Sequence, residues 1–119
     1  MTNEECIFCK IVSGSVPCDK VWENERFLAF ADIKPVGPGH TLIVPKKHFD
    51  KLVDLDKEAS REYIESVQEV GRVLMKEFNA DGFNIALNNG KSAGQVIDHV
   101  HFHILPRREG DNLKGVILP

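Results

Sequence analysis

No apolar run in this chain approaches the ~18 to 20 residues that a bilayer-spanning helix needs, and Met1-Thr2-Asn3-Glu4-Glu5 lacks the charged-then-apolar signature of a secretion leader. The expected location is therefore the cytoplasm, with no membrane partner. Basic charge is also in short supply: 15 Lys and Arg stand against 18 Asp and Glu, for a formal net charge of -3. Apart from Lys46-Lys47 and Arg107-Arg108 the cations are scattered, which argues against a nucleic-acid partner and leaves only a small phosphate ligand. Cysteine is scarce, three in 119 residues. An odd count without an export signal argues against a disulfide framework and for reduced thiols, buried or bound to metal. With no internal repeat, low-complexity tract or linker, residues 1–119 are expected to form one domain, of a size to which partner association commonly adds stability.

Within those bounds, short apolar stretches alternate with turn residues. Ile7, Phe8, Ile11 and Val12 recur at a spacing near four and predict a short helix stopped by Ser13-Gly14. After a turn at Val16-Pro17, two strands are predicted, Lys20 to Glu23 and Phe27 to Ala31, joined by Asn24-Glu25-Arg26. Pro35, Gly37, Pro38 and Gly39 force a loop, and His40 to Pro45 reads as a third strand ended by a proline that cannot donate to a ladder. From about Asp56 to Phe78, Tyr63, Val67, Val70, Leu74 and Phe78 fall on one stripe of a long helix. Asp81-Gly82 turns the chain into a fourth strand, Phe83 to Leu87. Asn88 to Gly94 is a loop, and His99 to Leu105 is the fifth strand. The order predicts an α+β fold, an antiparallel sheet with helices on one face.

The fifth segment carries the chemistry. His99-Val100-His101-Phe102-His103-Ile104-Leu105 spaces three of the five histidines by two. On a strand the three imidazoles share one face, and Val100, Phe102 and Ile104 line the other. One use of such a face is metal binding, with His40, His48, Asp32 or Asp98 as a third ligand. The other is attack on phosphorus by a neutral imidazole, with flanking histidines donating to phosphate oxygens or protonating the leaving group. The middle histidine is best placed to attack. The adjacent loop from Asn88 to Gln95 offers backbone N–H groups without bulky side chains, as an anion-binding concavity requires.

The same heptapeptide resembles the signature of the histidine triad superfamily. The similarity extends to the Cys6-to-Ile11 start, Leu28 to Ile33, Gly39 to His48 and Ala93-Gly94-Gln95. The chain is most similar to the short nucleotide-binding branch, homodimeric hydrolases of purine nucleoside 5'-phosphoramidates and related adenylylated substrates. That resemblance implies a five-stranded sheet with one long and one short N-terminal helix, and a covalent nucleotidyl intermediate on His101. His103 would act on the phosphate and leaving-group side, the carbonyl of His99 would fix the tautomer of His101, and His40 would complete the cluster. Asp32 would take the ribose hydroxyls. Ile7, Phe8, Ile11, Phe30, Ile33 and Leu42 match positions that sandwich the base, and Asn88, Gly94, Gln95 and Val96 those around the phosphate. Val96 is a departure, because the best-known members carry a serine there whose hydroxyl can reach the phosphate or leaving group.

Cys6-x-x-Cys9 has the spacing of half a zinc site. Bacterial members complete such a site with histidines matching His48 and His99, so the resemblance implies a closed structural zinc on Cys6, Cys9, His48 and His99, with no cofactor needed for the chemical step. Three other readings stay open on the sequence. They are a dinucleoside polyphosphate hydrolase, suggested by the similarity of Leu105 to Asn112 to that branch, a nucleotide-binding interaction module, and a metal-dependent hydrolase.

Overall fold

A computed structural model of the protein describes residues 5–113; the reading of 1–4 as leaderless falls outside them. In chain order the elements are helix α1 (Ile7–Ser13), strands β1 (Lys20–Glu23), β2 (Phe27–Ala31) and β3 (Thr41–Pro45), helix α2 (Lys57–Glu77), and strands β4 (Gly82–Ala86) and β5 (Phe102–Arg107). Single 3₁₀ turns at Leu52–Asp54 and Lys91–Ala93 interrupt the longer loops. The strands form one antiparallel sheet in the order β1-β2-β3-β5-β4.

Strand β2 sets the layering. Phe27-Leu28-Ala29-Phe30 has no polar residue and all four are buried, so both faces of the sheet must be covered. Phe27 and Ala29 join Ile43, Tyr63, Val67, Val70, Leu74, Phe102 and Ile104 in a core beneath α2. Leu28 and Phe30 join Phe8, Cys9, Leu42 and Val44 beneath α1. The two helices therefore lie on opposite faces. The expectation that both share one face fails because it would have left Leu28, Phe30, Leu42 and Val44 in water.

Capping explains where the helices begin and end. The Sγ of Cys6 accepts the Cys9 backbone N–H at 3.4 Å, and Gly14 closes α1 at φ +87°, a left-handed conformation that suits glycine. Asp56 caps α2 by accepting from the Ala59 N–H at 2.8 Å. At Gly71 the absence of a side chain lets β4 approach: a Cβ there would stand 2.6 Å from the Phe83 ring.

Tyr63 is the wedge that shapes the site. Its hydroxyl donates to the Ile43 carbonyl at 2.5 Å and accepts from the Phe102 N–H at 3.2 Å. It thereby sits between two residues that face each other across β3 and β5. The ladder ends there. The fifth strand starts at Phe102 rather than His99, and His99 lies in a bend whose N–H bonds the Ile97 carbonyl at 2.8 Å. The alternation survives all the same, with Val100, Phe102 and Ile104 beneath α2.

Tyr63→Phe would strand a buried carbonyl and a buried N–H, at about 1–3 kcal/mol. The urea midpoint should fall with the m-value unchanged, and a variant as stable as the parent would disprove the wedge.

Candidate active site and metal centre

On the α1 face of the sheet lies a cleft of about 490 Å³. Its lining includes Ile7, Phe8, Ile11, Phe30, Asp32, Ile33, Leu42, Val96, His101 and His103, all of which the sequence placed at the site. Pro17, Cys18, Asp19, Lys34 and Ile97 also line it, and no pattern in the sequence marked them. Ile33 and Val96 are 92% and 72% exposed. Such large, open aliphatic surfaces beside buried imidazoles suit a ligand that covers them.

Proton positions on the rings follow from their partners. The Nδ1 of His40 accepts the Val36 N–H at 3.1 Å, so a neutral ring carries its proton on Nε2. That Nε2 lies 2.9 Å from His103 Nδ1 and 3.6 Å from the Asp32 carboxylate. His103 thus accepts at Nδ1 and holds its own proton on Nε2. His101 Nδ1 sits 2.8 Å from the His99 carbonyl. A carbonyl only accepts, so Nδ1 is the donor and Nε2 keeps the lone pair. His99 Nε2 donates to the Pro45 carbonyl at 2.8 Å, and His48 Nε2 donates to Asp50 Oδ1 at 2.8 Å. Both of these rings then present a bare Nδ1.

Burial keeps three of these rings neutral. It pushes His40 and His101 below the ordinary imidazole range and takes His99 to about 4, despite the Pro45 carbonyl pulling the other way.

The two bare Nδ1 atoms point at the thiols. His99 Nδ1 lies 3.2 Å from Cys6 Sγ and 3.6 Å from Cys9 Sγ, and His48 Nδ1 lies 3.3 Å from Cys9 Sγ. All four ligand atoms fall within 4.8 Å of one another. A tetrahedral zinc with its usual bond lengths has S···N edges of roughly 3.6 Å, so the donor set fits. Asp50 supplies the carboxylate that orients a ligating histidine. A carboxylate two residues after a candidate ligand was the sequence signal for it.

A second group, Asp32, His40 and His103, also brings three ligand atoms together. Here the hydrogen bonds argue against a cation. To ligate through Nε2, His40 would have to move its proton to Nδ1, where it would face the Val36 N–H donor. Asp98 is exposed and belongs to neither cluster. The reading of the triad as metal ligands for a hydrolytic water is thereby disfavoured.

Gln95, placed beside the phosphate by resemblance, is a brace in this structure. Its Oε1 accepts the Gly90 N–H at 2.7 Å, and its Nε2 donates to the carbonyls of Asp50 and Ile97 at 2.6 and 2.9 Å. Its backbone N–H bonds the Gly90 carbonyl at 3.1 Å, so every donor is already engaged. Gly94 stands at φ +94°, and a Cβ there would lie 3.5 Å from the Asn88 side chain. Asn88, Gly94 and Gln95 do not line the cleft; neither do His40 and His99, which are hydrogen-bonded to His103 and His101.

The family model described as HIT domain matches residues 13–110. An uncharacterised HIT-like protein of Methanocaldococcus jannaschii is 49% identical over 106 residues, 89% of this chain and 81% of that protein. The adenosine 5'-monophosphoramidase hnt1 of Schizosaccharomyces pombe is 41% identical over 114 residues, 96% of this chain and 83% of that one. The crystal structure of a zinc-bound histidine triad family protein from Mycobacterium smegmatis superposes with a TM-score of 0.84 at 42% identity, covering 97% and 84% of the two chains.

The buried rings predict an acid-labile fold in the metal-free protein. Between about 6.5 and about 4 the unfolded chain binds a proton at His99 that the folded chain refuses. Stability is therefore full above that window and is lost as pH falls through it, by on the order of 3 kcal/mol. His40 and His101 act in the same direction. A urea midpoint unchanged between about pH 7.5 and about pH 5 would contradict the neutral, buried assignment.

Proposed function

The chain belongs to the histidine triad (HIT) family, and we propose that it is a single-domain cytoplasmic nucleotidyl hydrolase that cleaves purine nucleoside 5'-phosphoramidates and related AMP conjugates. The observation that carries this reading is the 2.8 Å bond between His101 Nδ1 and the His99 carbonyl. It leaves His101 Nε2 as a lone pair on a ring that lines the cleft, on a base too buried to be protonated at neutral pH. The relative named as an adenosine 5'-monophosphoramidase supports the substrate class.

In this mechanism the purine lies between the aliphatic and aromatic walls supplied by Ile7, Phe8, Ile11, Phe30, Ile33 and Leu42, and Asp32 takes the ribose hydroxyls. His101 Nε2 attacks phosphorus, forming an N–P bond as the P–N bond to the leaving amine breaks. The amine leaves with a proton from solvent, while the His103 Nε2–H donates a hydrogen bond to a phosphate oxygen and keeps its proton. Positive charge that develops on His101 is stabilised by its Nδ1–H on the His99 carbonyl. Water then attacks phosphorus, the electron pair of the N–P bond returns to His101, and the water's proton passes to solvent. His40, donating to His103 Nδ1, holds that ring in the tautomer the step needs.

Zinc held by the Sγ atoms of Cys6 and Cys9 and the Nδ1 atoms of His48 and His99 would supply a closed structural cross-link between α1 and the sheet. Two copies would pair through β4, an edge strand with Phe83 and Ile85 exposed, together with the exposed Ile64 of α2. Such pairing would bury an open strand edge in an isologous dimer.

Acid-quenched protein given adenosine 5'-phosphoramidate should show a mass gain of one adenylyl group. His101→Ala should show none and should lose activity by on the order of 10³-fold or more, while still binding AMP. Undiminished activity in that variant would remove His101 from the chemistry. A higher kcat/KM for diadenosine polyphosphates than for the phosphoramidate would move the protein to the other branch.

Restoring a hydroxyl at the cleft mouth with Val96→Ser should raise kcat by about tenfold or more, as a new transition-state hydrogen bond would. An unchanged kcat would mean that no reacting oxygen comes near position 96.

A further inference from the structure

We infer that the metal centre and the nucleotide cleft are thermodynamically coupled, so that metal on Cys6, Cys9, His48 and His99 pre-orders the cleft and each ligand strengthens binding of the other. The inference rests on the nucleotide-hydrolase reading, and goes beyond it by giving the cluster a role in affinity as well as in folding.

Three physical links join the two sites. The first is α1. Seven residues are too few to hold a helix by propensity alone, and at this end it is tied to the sheet by the packing of Phe8 and by the thiols of Cys6 and Cys9. The same turn carries Ile7 and Phe8 into the cleft. Phe8, between the two thiols, meets the His101 ring edge-on at 5.1 Å and the His99 ring at 5.7 Å. Displacing the thiols would displace a wall of the cleft and a ring packed on the nucleophile.

The second link is His99 itself. Its Nδ1 faces the thiols, its Nε2 is fixed by the Pro45 carbonyl, and its own carbonyl sets the proton on His101. The third runs through the loop after β3. His48 bonds Asp50, whose carbonyl accepts from Gln95, whose Oε1 holds the Gly90 N–H. Leu52 adds a parallel strut by donating to Asn89 Oδ1 at 2.8 Å. The base wall, the nucleophile and the Val96-Ile97 rim of the cleft, whose Ile97 carbonyl Gln95 holds, thus all hang from residues that bind or brace the cluster.

Without a cation, the thiol–imidazole contacts at 3.2 to 3.6 Å are sulfur hydrogen bonds, which are weak. Metal replaces them with bonds that hold all three links at once. A nucleotide binding to the loaded protein then no longer pays to order them, and linkage requires the converse effect on metal to be equal.

AMP and zinc are the probes. Calorimetric titration of AMP into zinc-loaded and zinc-stripped protein, each checked for fold by circular dichroism, should give a dissociation constant about tenfold larger without zinc. Saturating AMP should slow transfer of zinc to a chromogenic chelator. Equal AMP affinity in two folded forms overturns the coupling while leaving the nucleotide reading intact; failure of the loaded protein to bind AMP overturns both.

Should stripping unfold the chain, zinc-loaded Gln95→Ala decides. It cuts the third link outside the metal ligands, so it should bind AMP more weakly and show a smaller effect of AMP on zinc release. A variant matching the parent in both measurements would overturn the inference.

Discussion

A backbone carbonyl can accept a hydrogen bond but never donate one, and the chemistry of this site depends on that asymmetry. The carbonyls of Pro45 and His99 each take a ring N–H, from His99 and His101 respectively, and so decide which nitrogen of each ring is left bare. The Val36 N–H does the reverse for His40. Imidazole tautomers interconvert easily in water, where both nitrogens find partners. Here main-chain groups that cannot change roles settle the matter at no cost in side-chain entropy. Burial completes the arrangement, because a protonated ring would be a donor at both positions and would face an N–H or be left in a poor dielectric.

The backbone atoms stand where they do because the sheet has two apolar faces and one interruption. Leu28, Phe30, Leu42 and Val44 draw α1 onto the side opposite α2, and α1 brings the thiols to the histidines. The Tyr63 hydroxyl ends the β3–β5 ladder at Ile43 and Phe102. Residues released from the ladder are free to point their main-chain groups at side chains. The Pro45 carbonyl goes to His99, and the Val100 N–H goes to the Phe49 carbonyl at 2.7 Å. A regular strand through His99 would have used the carbonyls of Pro45 and His99 in pairing.

Much of this was legible in the chain and some of it was not, for physical reasons. The hairpin at Asn24 to Arg26, the long amphipathic helix and its Asp56 start, and the Gly14 stop of α1 are local signals, and each stands within a residue or two of its expected place. The cluster of Cys6, Cys9, His48 and His99 was legible only through resemblance, since its members lie up to 93 residues apart. The side of the sheet taken by α1 was misjudged, because a short helix leaves no mark of its destination in its own spacing; the mark was in β2, whose unbroken apolar run demanded two covers. The start of β5 was misjudged because the wedge that cuts it short comes from a tyrosine 39 residues away. The partners supplied by Pro45, Val36 and His99 are main-chain atoms, and any residue but proline offers the same N–H and C=O.

The spacing of the histidines takes on a different meaning in this light. Read as a pattern, His99, His101 and His103 form one array on one face, equivalent except for position. In the structure each ring answers to a different acceptor or donor and exposes a different nitrogen: His99 offers Nδ1 to the thiols, His101 keeps its lone pair on Nε2, and His103 carries a proton there. The interval of two is what permits this. A carbonyl at position i reaches a ring at i+2 on the same face of an extended chain, so His99 serves the cluster with its side chain and His101 with its main chain. An interval of one would turn His101 to the α2 face, among Val100 and Phe102. An interval of three would do the same and would also take the ring beyond reach of the carbonyl. The motif is therefore a single device with a shared hinge at His99, through which a thiol–imidazole corner and an imidazole with a bare Nε2 are built from adjacent atoms of one residue.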